Sequence, residues 1–339
     1  MTETAVTHPG SAYPVTAVAH PNIALAKYWG KRDGVGNYPA VPSLSVTLAG
    51  MSTTTRVRFA PELSEDRFVL NGHAVVGEAS LRVVALLNRV RAGAGLALFA
   101  DVVSTNDFPT SSGLASSASG FAALALAATR AAGLDWDAGR VSDLARRSSA
   151  SAARSLFGGF VELGPGPFAP GGDEVCAARV VCPENQLDLR VIVCVTTDAE
   201  KAIGSTAAMK VTKEKSPYYA AWLEQSHPRF WRLREGLLAR DFDAMGTVAE
   251  ESALAMHACA LGAGIVYFNQ ASLDLLAAVR GLRASGVSAY ATMDAGPHVK
   301  VLVLSPDEKR VETVLKSVPG VVRILRARPG AGAHLTSSS

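Results

Sequence analysis

The spacing of apolar and polar positions predicts extended structure in the first third of the chain. Threonine or apolar residues alternate with polar ones over Ser52–Phe59, as in a strand with one buried face. The dipeptide Asn71-Gly72 separates two short strand-like segments, Arg67–Leu70 and His73–Val75. Asn-Gly between two such segments is a strong signal for a β-hairpin, because both residues tolerate positive φ angles.

The next segments mix helical and extended patterns. Ala115–Ala132 is rich in alanine and leucine and stops at Gly133, a favourable residue just beyond a helix end. The other elements predicted before residue 185 are helices at Leu81–Val90 and Asp137–Ser148, and strands at Ala97–Val103 and Phe160–Leu163.

The second half begins with Leu189–Val195, a continuous apolar run typical of a strand buried on both faces. Helices are predicted over roughly 204–285. Strands at Ala289–Met293, His298–Leu304 and Val321–Leu325 follow, with a short helix at Pro306–Ser317. This mixture predicts an α+β protein of two domains, 1–185 and 186–330, rather than a doubly wound parallel sheet. The first dozen residues and the tail 331–339 are expected to be frayed.

Composition and charge narrow the possible functions. Of the 339 residues, 48% are apolar and 19% charged, which supports a sizeable core and argues against disorder. The net charge of +3, without any run of five basic residues, disfavours nucleic acid and membrane surfaces as partners. No signal-peptide pattern begins the chain and no apolar run reaches the length of a membrane span, so we expect a cytoplasmic protein. The four cysteines form no CxxC pair, so a zinc site is not expected.

The segment Thr105–Gly120 has the features of a phosphate-binding loop. Pro109 and Gly113 mark a turn, and small residues continue into the predicted helix, whose N-terminus offers unpaired N–H groups and a partial positive charge. The hydroxyls that could reach phosphate, or in the case of Ser117 a magnesium ion held through phosphates, belong to Ser116, Ser117 and Ser119. A serine-capped helix after an ordinary glycine turn is the alternative. P-loop and Rossmann patterns do not occur.

The spacing Pro-x-x-x-Gly-Leu-x-Ser-Ser, which includes Leu114, resembles the phosphate-binding motif of the GHMP small-molecule kinase superfamily. Three further stretches, Pro21–Arg32 (PNIALAKYWGKR), Ser149–Gly159 (SASAARSLFGG) and Met293–Pro297 (MDAGP), are similar to the diphosphomevalonate decarboxylase family. The similarity runs from about residue 18 to 325.

This resemblance implies a two-domain GHMP-kinase fold. Its N-terminal domain would be like ribosomal protein S5 domain 2 and its C-terminal domain ferredoxin-like, usually in a homodimer. It also implies an ATP- and Mg²⁺-dependent reaction. The 3-hydroxyl of (R)-mevalonate 5-diphosphate would be phosphorylated, and phosphate and CO₂ would then leave to give isopentenyl diphosphate.

The residue types in these motifs suit such chemistry. Asp294 precedes Ala-Gly-Pro in a tight turn, where a carboxylate could accept or orient a hydroxyl proton, or could simply form the turn. The guanidinium of Arg154 suits bidentate binding of a carboxylate, although a surface arginine is the alternative. Lys27 and Lys31 lie four residues apart, which would put both on one face of a helical turn.

The resemblance adds roles that the residues alone do not give. Lys27 would neighbour the catalytic Asp294, and Tyr28 and Lys31 would meet the diphosphate. Ser149, Ser151 and Ser205 match serines that contact substrate in the family.

The chain departs from the family pattern at Val41, Asp107 and His298, where asparagine is common, and Arg82 is the nearest candidate for a further diphosphate-binding arginine. These departures bear on the phosphorylation state of the substrate. A decarboxylase of 5-phosphomevalonate or a mevalonate-type kinase therefore remains an alternative, as does a non-catalytic nucleotide-binding regulator. Retention of Lys27, Arg154 and Asp294 favours the decarboxylase.

Overall fold

A computed structural model describes residues 13–32, 36–108, 116–164, 175–199 and 202–336. Within these ranges the chain forms fourteen strands, eight α-helices and two 3₁₀ helices. The strands are β1 (Val15–Ala19), β2 (Asn22–Ala26), β3 (Ser43–Ala49), β4 (Thr53–Ala60), β5 (Arg67–Leu70), β6 (His73–Ala74), β7 (Phe99–Asn106), β8 (Phe160–Leu163), β9 (Arg179–Cys182), β10 (Leu189–Val195), β11 (Ala289–Met293), β12 (Val299–Leu304), β13 (Arg323–Pro329) and β14 (His334–Leu335). The α-helices are α1 (Glu78–Ala94), α2 (Ser116–Ala131), α3 (Ala138–Ser148), α4 (Ser205–Lys215), α5 (Tyr219–Leu238), α6 (Phe242–Leu261), α7 (Gln270–Ala284) and α8 (Glu308–Lys316). The 3₁₀ helices span Ala150–Leu156 and Ser305–Asp307.

The first sheet has six strands in the order β14-β1-β4-β7-β5-β6. Apolar side chains of β4 and β7 pack against α1, α2 and α3 in one core cluster. The polar residues that alternate along β4 lie on its other face or at the surface, which confirms the strand predicted from the alternation. Asn71 and Gly72 have φ angles of 50° and 81° and connect β5 to β6, so the predicted hairpin is also confirmed.

The second sheet joins strands from both halves of the chain. Its order is β11-β12-β10-β13-β3-β8-β9, and β2 also pairs with β3. The connection runs through β13, whose first part pairs with β10 and whose last residues, Arg328 and Pro329, pair with β3. The sheet therefore crosses the predicted domain boundary at 185/186.

Strand β10 is buried on both faces, which explains its continuous run of apolar residues. Val191, Val193 and Val195 point into a core shared with α5 and α6. Ile192 and Cys194 point to the opposite face, into a core shared with α7 and α8. Because helices cover both faces, every side chain in this strand except that of Arg190 is buried.

Two predictions of local structure are wrong, and one element was not predicted. The segment that contains Lys27 and Lys31 is not a helical turn, because it leaves β2 in extended form and Lys31 forms an isolated bridge with Pro39. The tail is not entirely frayed, since His334 and Leu335 pair with β1 at the edge of the first sheet. The stretch around Arg154, for which no element was predicted, is the first 3₁₀ helix.

Candidate active site

Three charged side chains meet where β11 ends. Lys27 Nζ donates a hydrogen bond to Oδ1 of Asp294 at 2.8 Å, and Lys300 Nζ lies 3.1 Å from Oδ2. The two lysine side chains are only 1% and 3% exposed, whereas that of Asp294 is 28% exposed. The carboxylate is thus the part of this group that a ligand can approach. We call Lys27, Asp294 and Lys300 the ionic centre.

Elements from both halves of the chain position these side chains. Lys27 follows β2, and its backbone N–H donates to Ser252 Oγ of α6 at 3.0 Å. Its Nζ also donates to the carbonyl of Ala24 at 2.7 Å, so the ammonium is held from two sides. Asp294 occupies the turn between β11 and β12, and Lys300 lies in β12 itself. Pairing of β2 with β3 and of β3 with β13 brings Lys27 to this turn.

Burial and pairing act in opposite senses on the pKa values of the ionic centre. Burial lowers the pKa of Lys27 to about 8, an effect that the Asp294 carboxylate partly offsets and the positive charges of Lys300 and Arg154 reinforce. Burial alone would raise the pKa of Asp294, but Lys27 and Lys300 together outweigh it and hold that pKa well below its usual range. Asp294 is therefore ionised at neutral pH, and Lys27 is mostly protonated.

Arg154 lies in the first 3₁₀ helix and is 2% exposed. Its Nε donates to Ser45 Oγ at 2.9 Å, its Nη1 to Ser43 Oγ at 2.8 Å, and its Nη2 to Asn22 Oδ1 at 3.3 Å. These partners lie on β2 and β3, so the guanidinium plane is fixed against the second sheet. The alternative of a surface arginine at position 154 is therefore excluded, because the side chain is buried.

Positive charge exceeds negative charge in this region. Burial lowers the pKa of Arg154 to about 10, which leaves the group protonated at neutral pH, and Asp294 counteracts that lowering. Among the described residues, the carboxylate that compensates the charges of Lys27, Lys300 and Arg154 is that of Asp294. Buried charges are costly unless they are compensated, so this arrangement suits an anionic ligand.

Two ring side chains adjoin the ionic centre, that of the buried His257 and that of the half-buried Tyr28. His257 of α6 is 2% exposed, and burial, followed by the charge of Lys27, lowers its pKa to about 4, so the ring is neutral. The negative charge of Asp294 opposes this lowering. Burial raises the pKa of Tyr28, whose hydroxyl is enclosed and has no hydrogen-bond partner among the described residues. An enclosed donor of this kind is suited to a bound ligand.

Lys31 and Arg82 form a second group of basic side chains. Lys31 Nζ donates to Asn37 Oδ1 at 2.7 Å and to Thr206 Oγ1 at 3.3 Å. Burial lowers the pKa of Lys31, and the positive charge of Arg82 lowers it further. The charges of the two side chains therefore interact. Arg82 also donates to the Ser148 carbonyl at 2.6 Å. Two neighbouring cations suit a ligand group with several negative charges. The predicted diphosphate-binding role of Lys31 and Arg82 requires such an arrangement.

The serines that the resemblance singled out lie along these two groups. Ser149 Oγ and Ser151 Oγ are 3.1 Å apart, and the Ser151 carbonyl accepts from Asn22, the same side chain that accepts from Arg154. Ser205 is the first residue of α4, next to the threonine that accepts from Lys31. Their roles in substrate binding stay predictions.

The predicted phosphate loop is described only from the start of α2. Pro109, Gly113 and Leu114 lie outside the described residues. Ser117 is exposed and Ser116 half-buried at the N-terminus of α2. Ser119 is different: it is completely buried and its Oγ lies 2.7 Å from Thr53 Oγ1. Its hydroxyl is therefore engaged with the first sheet in this structure, which makes Ser117 the better placed of the three for a phosphate.

The three departures from the family pattern have structural contacts. Val41 is buried in a small core cluster. Asp107 accepts hydrogen bonds from the backbone N–H and the hydroxyl of Ser52, both at 2.7 Å. His298 is buried, and its Nδ1 accepts from the Thr196 N–H at 3.2 Å, which ties the Asp294 turn to the end of β10.

Sequence reasoning missed several residues that hold the site together. Those not predicted are Asn22, Ser43, Ser45, Ser252, His257 and Lys300. Lys300 had a usable signal, because it is the one charge in the otherwise apolar strand VKVLVL. A lysine in such a position needs a buried partner.

Other classes of site find no support in the part of the chain that the structure describes. It contains no group of three or more His, Cys, Asp or Glu side chains that could hold a metal ion. Its four cysteines are buried free thiols: Cys176, Cys182, Cys194 and Cys259. Over the same residues, no helix combines the length and apolarity needed to cross a membrane.

Comparison with known proteins identifies the family. Residues 19–176 match the model of the diphosphomevalonate decarboxylase-like N-terminal domain, and residues 191–327 match that of the mevalonate 5-diphosphate decarboxylase C-terminal domain. The predicted boundary at 185/186 lies between the two matched ranges.

Full-length relatives and solved structures agree with these matches. Diphosphomevalonate decarboxylase of Schizosaccharomyces pombe is 35% identical over 92% of this chain and 83% of its own length. Phosphomevalonate decarboxylase of Haloferax volcanii is 35% identical over 88% and 90%, respectively. A solved structure described as MDDEF in complex with MVAPP, AMPPCP and magnesium is 39% identical, covers 96% of this chain and 99% of its own, and superposes with a TM-score of 0.88. The likeness confirms the predicted two-domain α+β fold of the GHMP-kinase type, and the chain belongs to the diphosphomevalonate decarboxylase family.

Proposed function

We propose that the protein catalyses the ATP-dependent decarboxylation of (R)-mevalonate 5-diphosphate, with isopentenyl diphosphate, ADP, phosphate and CO₂ as products. The observation that carries the proposal is the ionic centre with Arg154 beside it: one accessible carboxylate among three buried cations. Membership of the family supplies the substrate class. The substrate carries a carboxylate and a diphosphate, both of which compensate the excess positive charge.

Asp294 is placed to accept or orient the proton of the 3-hydroxyl. Its carboxylate is ionised and 28% exposed, and both oxygens are held by lysines. A fixed anion that accepts a hydrogen bond from the hydroxyl would align its oxygen for attack on phosphorus. Lys27, which donates to Oδ1 of the same carboxylate, would then lie near the substrate oxygen and could stabilise negative charge that develops there.

Arg154 is placed to hold the carboxylate that is lost. Three of its donors already bind Ser43, Ser45 and Asn22, so the guanidinium is oriented before substrate arrives. A planar guanidinium can fix the angle between the carboxylate and the C3–O bond, which decarboxylation with loss of phosphate requires. Lys31 and Arg82, with Tyr28, are the proposed binding residues for the diphosphate.

ATP and Mg²⁺ are the proposed co-substrate and metal ion. The related structure described with AMPPCP and magnesium supports this assignment. In the described part of the chain, the exposed Ser117 and the half-buried Ser116 at the start of α2 fit a phosphate, and Ser117 is the proposed contact with magnesium held through phosphates. When bound, the ion would neutralise charge on the transferred phosphoryl group. A homodimer in the cytoplasm remains a prediction from the sequence.

The relative named phosphomevalonate decarboxylase makes the 5-monophosphate a second candidate substrate. Incubation with ATP and, separately, mevalonate, its 5-phosphate and its 5-diphosphate tests both. The proposal expects CO₂ and ADP in equal amounts from the 5-diphosphate and little from the others. CO₂ from the 5-phosphate alone would establish the second candidate, and ADP without CO₂ would establish a kinase.

A further inference from the structure

We propose that Lys300 is a positioning residue for the decarboxylation: by holding Oδ2 of Asp294, it fixes the plane of the carboxylate that meets the substrate hydroxyl. The inference rests on the proposed function. Its basis is the 3.1 Å contact between Lys300 Nζ and Asp294 Oδ2, opposite the 2.8 Å contact between Lys27 Nζ and Oδ1.

The position of Lys300 is unusual for a lysine. It is the second residue of β12, in register with Val193 of β10 and Thr292 of β11. Val193 belongs to the core cluster shared with α6, and Thr292 is completely buried. An ammonium in such surroundings is costly unless it is paired, and Asp294 is the carboxylate that pairs with it.

Contacts to both oxygens of Asp294 fix the orientation of its carboxylate, which a single contact cannot do. With Lys27 alone, the carboxylate of Asp294 could pivot about Oδ1 through combined rotation of the Cα–Cβ and Cβ–Cγ bonds, or turn by 180° and present its other oxygen to Lys27. A second cation on Oδ2 removes that freedom. Small errors in the position of a catalytic group can cost on the order of 10²-fold in rate. Lys300 therefore acts through Asp294, without contact with the reacting atoms.

The charged and titratable groups around Asp294 come from four directions. Lys27 follows β2, Lys300 lies on β12, His257 on α6 and Arg154 in the first 3₁₀ helix. Removal of the Lys300 charge takes one attracting cation from Asp294 and one repelling cation from Lys27. Both pKa values should then rise, so the alkaline limb of the kcat/KM profile, which reports the free enzyme, should move to higher pH.

The test compares Lys300→Met with Leu302→Met, a matched control on the same buried face of β12 that leaves the ion pairs intact. In Lys300→Met we expect kcat for mevalonate 5-diphosphate to fall by about tenfold or more, with KM within about threefold, and the alkaline limb to move upward. Lys300→Arg should recover part of kcat because it restores the charge. A kcat within about twofold of wild type, or a loss equal to that of Leu302→Met with an unmoved profile, would overturn the inference.

A second measurement separates this inference from the proposed function. The chain has nine lysines, so ¹³Cε-labelled lysine gives a tractable spectrum, and Lys27→Arg assigns the Lys27 signal. Lys27 should titrate near pH 8 in the wild-type apoprotein and at higher pH in Lys300→Met, or in Lys300→Gln if the methionine variant does not fold. An unchanged Lys27 titration overturns the role of Lys300 whatever the substrate. Absence of CO₂ from the wild type, with a shifted Lys27 titration, would instead reject the proposed function and leave the contact established.

Discussion

Replacement of Arg154 by lysine separates decarboxylation from simple phosphoryl transfer. If the enzyme only phosphorylated the 3-hydroxyl, the substrate carboxylate would be a bystander and its partner would matter little. If the carboxylate leaves as CO₂, it has to be held at a fixed angle to the C3–O bond. A guanidinium gives that alignment with paired donors, whereas an ammonium is a single point charge.

The size of the effect follows from the contacts of Arg154. The guanidinium reaches Ser45, Ser43 and Asn22 with three different nitrogens. One ammonium cannot replace three such donors, so at least one buried acceptor loses its charged partner, at a cost of about 1–3 kcal/mol in the free energy of unfolding. The loss of orientation should lower the rate of CO₂ release by more than about tenfold, which corresponds to at least about 1.4 kcal/mol in activation free energy.

The assay measures ADP and labelled CO₂ together from carboxyl-labelled mevalonate 5-diphosphate. Arg232→Lys, a change of the same type at an exposed residue paired with Glu251, is the matched control and should behave as wild type. The melting temperature of Arg154→Lys shows how much of the loss is structural. Equal rates of CO₂ release from Arg154→Lys and wild type would refute the reasoning. A stable 3-phosphorylated product without CO₂ from the wild type would show that the protein is a kinase.

Three other predictions follow from the same geometry. Asp294→Asn keeps the shape of the side chain but removes the anion, so steady-state kinetics should show a loss of about 10²–10⁴-fold in kcat with KM nearly unchanged, and a near-normal kcat would exclude Asp294 as the catalytic carboxylate. Ser117→Ala should raise the KM for ATP without changing the melting temperature, because the Ser117 side chain is exposed. Ser119→Ala should instead lower the melting temperature, because it removes the contact with Thr53. The opposite pattern would make Ser119 the ATP contact and Ser117 the structural residue. Because Lys27 contributes its positive charge only when protonated and its pKa in the free protein is lowered to about 8, kcat/KM should fall as the pH rises through about 8, and Lys27→Arg should move this limb to higher pH; a limb that stays in place would assign it to another group.

The sequence was sufficient where structure depends on local pattern. The Asn71-Gly72 hairpin, the alanine-rich helix α2 and the apolar strand β10 all follow from the residues within each element. The boundaries of α3 were also predicted closely, because Asp137 caps the helix through the N–H of Arg140.

Long-range pairing was beyond local pattern. Strands β2 and β3 were not predicted, since the stretch before Lys27 is short and its pairing partner lies in another segment. The spacing of Lys27 and Lys31 suggested a helical turn, but pairing with β3 keeps the chain extended up to Ala26. Asp294 and Lys27 are 267 residues apart in sequence, so their contact depends on the sheet that joins the two halves.

The family motifs located the residues of the site, but the physical reason for their arrangement comes from the structure. Among the described residues, Lys27, Lys300 and Arg154 are buried around one carboxylate, that of Asp294, an arrangement that costs stability in the free protein because positive charge is in excess. The carboxylate and phosphate groups of the substrate would relieve that excess. The stability given up in the free state therefore favours an anionic ligand over a neutral one. The need to orient Asp294 also explains why two lysines contact it: a lone cation would hold one oxygen but would leave the carboxylate free to rotate.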